Sequence, residues 1–385
     1  MSVQVSYKKQ TIFGFLLILI MIISVEGVLR AYDFQYPNCR LTNSDVFSNF
    51  DEDLKRSICL DNDNLIWNHH PNLNLEPNQH YATIDINMDG FRGNEIELKK
   101  AFDTYRIFVI GGSTTFGVGS SSNETSIPGY LQEYFSTMTE LNVEVINAGI
   151  PSAFSNTEFN YIQNKILDYD PDLLIIYDGL NDSTISTDEY LMSSEEPSLI
   201  SQIMKSLIKS KNYETPGILM KNWNNFRFDT TDISKIPIYN DMASEDWYHA
   251  FQDKEFLTVA LDQRVNLWKQ TWTKVCEQGK RDGFEVIVTL QPILGTGNKQ
   301  LTVEEQNNYV KYNQDIILPN YLKFIPAVNE LKSICSNSMD LTNSFDNNLE
   351  TIFFDQGHVG DRGNKIMAKE LFDLSLPVVM KKSIE

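Results

Sequence analysis

The sequence predicts an α/β protein with a central, mostly parallel sheet, an apolar helix ahead of it and a long insertion within it. Two observations predict the sheet. Ile107–Ile110, Val143–Ile146, Leu173–Tyr177 and Glu285–Leu290 are short runs rich in β-branched and apolar residues. Each is stopped by glycine, asparagine, aspartate or proline, and helical stretches separate them, which is the pattern of βαβ units. The third observation is composition. A chain of 385 residues, 42% hydrophobic and 22% charged, can bury a large core and is ordinary for a folded protein. Its formal net charge of −20 repels phosphate backbones and argues against a nucleic-acid partner.

Residues 1–30 stand apart. Thr11–Val25 is an apolar run preceded by Lys8 and Lys9 and interrupted by Glu26. As a helix, Thr11–Leu29 would span about 28 Å, close to a thin bilayer core. No small-residue cleavage site follows clearly. The expectation is an uncleaved, single-pass anchor with its lysines inside and the rest of the chain outside the cytoplasm. The alternative is a cleaved signal peptide and a secreted protein.

Residues 31–100 are rich in Asn, Asp and Pro and read as an irregular layer with short strands, wrapped on the main domain. Asp89–Gly90 is a hairpin-type turn between two short alternating stretches. His69, His70 and His80 lack a carboxylate or cysteine at ligand spacing, so a surface loop is expected there in place of a metal site. None of Cys39, Cys59, Cys276 and Cys335 shows C-x-x-C spacing. A bridge between Cys39 and Cys59 could tie the loop-rich layer. For Cys276 and Cys335 the expectation is two buried thiols, with a bridge as the alternative.

Residues 101–380 form the main domain. Ile107–Ile110 feeds a turn of two glycines with Ser113 at its tip. A helix follows, with Ile127, Tyr130, Leu131, Tyr134 and Phe135 on one face, Ser126 as N-cap and Pro128 in the first turn. The turn is not a Gly-x-Ser-x-Gly elbow, because Thr115 occupies the last glycine position. It is not a phosphate-binding loop either, because Gly117 is followed by Val118 and Gly119. A dinucleotide fingerprint fails at Ser122.

The second strand ends at Asn147-Ala148-Gly149, with a helix from about Asn156 to Leu167 after it. The third ends at Asp178-Gly179-Leu180-Asn181-Asp182. Residues 183–258 break the alternation with a long, polar, aromatic-studded insertion, the kind of segment that serves as a lid or binding excursion. Val265, Trp268, Trp272, Val275 and Cys276 then form a helix face, and Thr302–Glu305 is a capping box. Met339–Leu341 is a candidate fifth strand. Ile352–Phe354 runs into Asp355-Gln356-Gly357-His358, and a last helix begins near Asp361.

Ser113, Gly149, Asn181, Asp355 and His358 all fall at or near carboxyl ends of strands, which share one edge of a parallel sheet. The residue types suit acyl transfer. Serine is a weak nucleophile until a base takes its proton. His358 can be that base, and Asp355 is close enough to hold one ring nitrogen and leave the other for Ser113. The Ser113 and Gly149 backbone N–H groups and the Asn181 amide could donate to an oxyanion.

These blocks resemble those of the SGNH, or GDSL-type, hydrolases, a family of serine esterases, lipases and deacetylases. Gly111–Gly117 is similar to the family's nucleophile block and carries over to Ser113. Asn147-Ala148-Gly149 carries over to Gly149, Gly179–Asp182 to Asn181, and Asp355–His358 to Asp355 and His358. The family often has aspartate immediately before the serine, where this chain has Gly112. The resemblance covers about residues 105–182 and 339–372 with the fourth strand, and leaves the insertion unexplained. It implies a flavodoxin-like three-layer sandwich and an ester hydrolase that needs no metal or cofactor. The substrate it implies is a small-molecule or carbohydrate ester, with surface or extracellular O-acetyl groups favoured. An O-acyltransferase using the same triad is one rival. A catalytically silent carbohydrate-binding protein on the same fold, working through the aromatic insertion, is the other.

Overall fold

The computed structural model describes residues 6–35, 44–68, 74–184 and 254–382. The chain divides into two compact units, one containing helix α1 (Tyr7–Gln35) and the other containing the sheet and its flanking helices. Within α1, Tyr7–Val28 is long and apolar enough to cross a membrane, as a signal sequence also would be, with a mean hydropathy of 2.4. Phe13, Phe15, Ile20 and Ile23 on it are exposed.

In the second unit, β1 (Tyr105–Gly111), β2 (Val143–Gly149), β3 (Leu173–Asp178), β4 (Glu285–Leu290) and β5 (Asn337–Asp340) form one parallel sheet. The spatial order is β2-β1-β3-β4-β5. The chain leaves β1 in one direction to make β2, then crosses back over β1 to make β3. The strand order therefore reverses between β1 and β3, and in open α/β sheets the carboxyl ends at such a reversal are where ligands bind. Gly111, the last residue of β1, lies opposite Gly149 on one side and Tyr177 on the other.

Alternation along the strands sorts the helices into two layers. Ile107, Val109, Leu173 and Ile175 face Leu131 and Phe135 of α4 (Ile127–Met138) and Leu371 and Phe372 of the last helix, α11 (Asp361–Lys382). Phe108, Ile110, Leu174 and Ile176 face the other layer. That layer contains Tyr161 and Ile162 of α5 (Ser155–Asn164), Trp268 and Trp272 of α7 (Lys254–Asp282), and Tyr321 and Phe324 from two short helices that come after β4. Each large side chain buried this way contributes about 1.5–3 kcal/mol. The α/β class and the three-layer arrangement are as expected.

Local signals set the boundaries. Ser126 caps α4, its hydroxyl accepting from the Gly129 N–H at 3.2 Å. Thr302 and Glu305 form the expected box at the start of α8 (Val303–Lys311). Asn313 takes a left-handed conformation (φ 51°) and so separates α8 from α9 (Gln314–Tyr321), which α10 (Phe324–Leu331) succeeds.

The N-terminal layer is more regular than its composition suggests. Asp51 caps α2 (Glu52–Asn64), accepting from the Leu54 N–H at 2.7 Å. Gln79–His80 pairs with Asp85–Ile86. The turn at Asp89–Gly90 carries a single bridge, Ile86 to Arg92, and Arg92 in turn bridges Asn147 of β2. The layer thus covers that edge of the sheet. His80 bonds Asp85 at 3.0 Å on the surface. His69, His70, Cys39 and most of the insertion lie outside the described residues.

One expectation is corrected. Cys276 and Cys335 are joined in a disulfide, with Cα atoms 4.8 Å apart at a sequence separation of 59. Both belong to the same buried cluster under the sheet, a neighbourhood that linear spacing does not reveal. Cys59 is disulfide-bonded as well.

Candidate active site

β1 ends at Gly111, Gly112 is the N-cap of α3 (Ser113–Phe116), and Ser113 is the first residue of that single helical turn. The fold thus presents the serine at the switch point between β1 and β3. The loop after Phe353 brings His358 to it. His358 Nε2 stands 2.6 Å from Ser113 Oγ, across 245 residues of sequence. His358 Nδ1 faces Asp355, at 2.8 Å from Oδ2 and 3.0 Å from Oδ1. Asp355 Oδ1 also accepts from the backbone N–H groups of Gly357 at 3.0 Å and His358 at 2.8 Å.

Asp355 is buried. Burial pushes its carboxyl up, but the charge and hydrogen bond of His358 and the two backbone donors together outweigh it. The group sits below the ordinary carboxylate value of 3.8. The imidazole is braced from behind by Phe354, whose ring lies nearly parallel to it, 5.7 Å between centroids. Phe354 rests in turn on Phe47 of the N-terminal layer, at 5.2 Å.

Asn181 is the second residue of α6 (Leu180–Thr184), directly after β3. Its Nδ2 donates to the Ala153 carbonyl at 2.5 Å. A Cβ on Gly112 would stand 2.5 Å from that nitrogen. The missing side chain at 112 is therefore what lets the Asn181 amide lie against the start of α3.

Gly149 requires correction as an oxyanion donor. Its N–H is committed to its neighbour, Asn147 Oδ1, at 3.0 Å. A Cβ on it would fall 2.2 Å from the Phe116 backbone nitrogen. Glycine is needed here so that α3 can pack on β2, and not for approach to a ligand. The next turn, residues 150–153, offers another donor. Ile150 N–H donates to Gly111, Ala153 N–H donates to Ile150, and Pro151 has no N–H. In that turn Ser152, with φ 65°, carries the one N–H without an acceptor among the described residues. A non-glycine residue in the left-handed region is uncommon and clusters at functional sites. The sequence signal was weak, since proline and serine after a strand mark any turn.

Behind Asn181 lie three buried carboxyl groups, on Glu158, Asp178 and Asp182. Asp182 accepts from the Ser155 hydroxyl and, at 3.0 Å, from its N–H. Trp268 Nε1 donates to Asp178 at 3.0 Å. Burial pushes all three up, Asp178 to about 6, and Glu158 and Asp182 are raised further by their acidic neighbours.

Among solved structures the chain is similar to an acetyl xylan esterase, AlAXEase, at 15% identity and TM-score 0.34, covering 70% of this chain and 98% of that one. It is similar to a catalytic mutant of an acetylxylan esterase from Geobacillus stearothermophilus at 13% identity and TM-score 0.39, covering 70% and 93%. A lipase/acylhydrolase from Enterococcus faecalis matches at 11% identity and TM-score 0.39, covering 70% and 95%. No curated protein matches the sequence. A family model does match, along residues 107–371, which is most of the chain and spans β1 to α11. The protein therefore belongs to the family of GDSL-like lipases and acylhydrolases, and is a carboxylic ester hydrolase.

Proposed function

We propose that the protein cleaves an O-acyl ester through an acyl-enzyme formed on Ser113. The observation that carries this reading is the unbroken chain of contacts from Ser113 Oγ to His358 Nε2 at 2.6 Å and from His358 Nδ1 to Asp355 at 2.8 Å. His358 takes the hydroxyl proton as Ser113 attacks the ester carbonyl. Asp355, ionised and buried, fixes the ring with its proton on Nδ1 and stabilises the imidazolium that forms. The oxyanion is held by the Ser113 N–H, the Asn181 amide hydrogen not used by Ala153, and the Ser152 N–H. His358 returns the proton to the departing alcohol, then activates a water that releases the acid. Nothing in these steps calls for a metal or cofactor.

The apolar α1 and the disulfide Cys276–Cys335 both favour a place outside the reducing cytoplasm, tethered to a membrane. O-acyl groups on surface or extracellular carbohydrate are then the substrate class within reach. The test is Ser113→Ala, assayed with a short-chain aryl ester and a fluorophosphonate label. The expected result is loss of both turnover and labelling with an unchanged fold. Turnover equal to that of the parent protein would exclude the mechanism.

A further inference from the structure

We propose that Arg92, which precedes the family-matched stretch of residues 107–371, is a positioning residue that sets the angle of the Ser113 turn. The proposal rests on Ser113 being the nucleophile.

Arg92 is buried, and its guanidinium makes five hydrogen bonds. Nη1 donates to the carbonyls of Phe116 at 3.0 Å and Gly117 at 2.9 Å, the last turn of α3. Nη2 donates to Thr83 at 2.9 Å and Ser122 at 3.1 Å, and Nε to Asn123 Oδ1 at 3.0 Å. The guanidinium also lies over the Phe116 ring, 4.8 Å from its centroid. One side chain thus joins the N-terminal layer, the end of the nucleophile turn and the loop after it.

Such a clamp has work to do because α3 is only four residues long. A single helical turn does not hold its own geometry. Ser113 sits at its start, so a tilt of the turn moves Oγ away from His358. The carbonyl end of a helix favours a cation, and a planar five-donor group can hold several carbonyls at fixed angles. The Phe116 carbonyl also accepts from Asn147 Nδ2 at 3.0 Å, so the clamp has one jaw on the N-terminal layer and one on β2.

The molecule supplies its own control. Arg106 is equally buried and also binds the N-terminal layer. It donates to the carbonyls of Leu98 at 3.1 Å, Tyr169 at 2.7 Å and Glu97 at 2.8 Å, and to Glu144 at 2.6 Å. It stands at the opposite end of β1, away from Ser113.

The experiment compares Arg92→Lys with Arg106→Lys in the full chain, reading kcat and KM on an aryl ester, the rate of fluorophosphonate labelling, and Tm. Lysine keeps the charge but cannot span the carbonyls. In Arg92→Lys, kcat and labelling rate should fall by up to about 100-fold, as expected for a displaced reacting group. KM should stay within about 3-fold, because binding is not what is lost. Arg106→Lys should lower Tm comparably and leave the labelling rate per folded molecule unchanged. A folded Arg92→Lys protein that labels at the parent rate would overturn the proposal, as would an equal loss in Arg106→Lys. Where Arg92→Lys does not fold, Asn123→Ala removes the acceptor of Nε together with the bonds of Asn123 to Asp85, and an unchanged labelling rate there overturns the proposal equally. Labelling that survives in Ser113→Ala would instead sink the nucleophile assignment.

Discussion

Replacing Asp355 by asparagine should cost far more than the loss of one charge, and the hydrogen bonds say why. Oδ1 accepts both backbone N–H groups, from Gly357 and His358, and lies 3.0 Å from His358 Nδ1, whereas Oδ2 has only Nδ1, at 2.8 Å. An asparagine with its carbonyl oxygen at the Oδ1 position keeps both loop bonds. The reverse orientation sets an NH2 against two donors, at about 1–3 kcal/mol for each group left unsatisfied. The amide is therefore locked with NH2 facing Nδ1. Nδ1 then meets the NH2 at 2.8 Å and the carbonyl oxygen at 3.0 Å, and the nearer contact favours an acceptor Nδ1, which moves the ring proton to Nε2 and points it at Ser113 Oγ. The base can then no longer take the serine proton. A wrong-tautomer histidine of this kind lowers kcat by about 10³–10⁴-fold, roughly 4–5.5 kcal/mol of transition-state stabilisation. The loop bonds are retained, so Tm should change little. The assay is steady-state hydrolysis of an aryl ester alongside a thermal melt. A well-folded Asp355→Asn protein retaining more than about a tenth of parental kcat would refute the tautomer argument.

Gly149→Ala separates packing from catalysis. A donor role for the Gly149 N–H would survive the change, since alanine keeps that group. The close approach to Phe116 instead predicts a loss of about 1–3 kcal/mol in urea denaturation, with a fall in kcat as α3 shifts. The buried acids make a pH prediction. Asp178 is raised from 3.8 to about 6, so between these values the folded chain holds a proton the unfolded chain has released. Stability contributed by this group falls as pH rises through that window and is level above it. In Asp178→Asn the decline in Tm across the window should be shallower, with Asp182 and Glu158 still titrating.

The sheet was legible because its strands are buried on both faces, and continuous apolar runs such as Leu173–Tyr177 announce that. Glu285–Leu290 matches its strand end for end. Ser113, Asp355 and His358 were legible because their chemistry is restrictive and because strand ends share an edge. Gly149 was misread for a physical reason. Glycine serves wherever space is short, and a sequence does not say whether a ligand or another backbone takes the space. Helix α2 was missed because Asn and Asp dominate its surface, although the Asp51 cap and the spacing of Leu54 and Ile58 were readable. Arg92 offered no signal at all. Its five acceptors are, apart from Asn123, backbone carbonyls, and any residue type can supply those.

The proposed reacting pair, Ser113 and His358, is split between the early and late parts of the polypeptide. Synthesis runs from the amino end, so Ser113 emerges from the ribosome long before His358. Until the loop of Asp355 and His358, which lies between β5 and α11, has docked beside α3, the serine lacks the group proposed to receive its proton. In the proposed mechanism, hydrolytic competence waits on residues that leave the ribosome late.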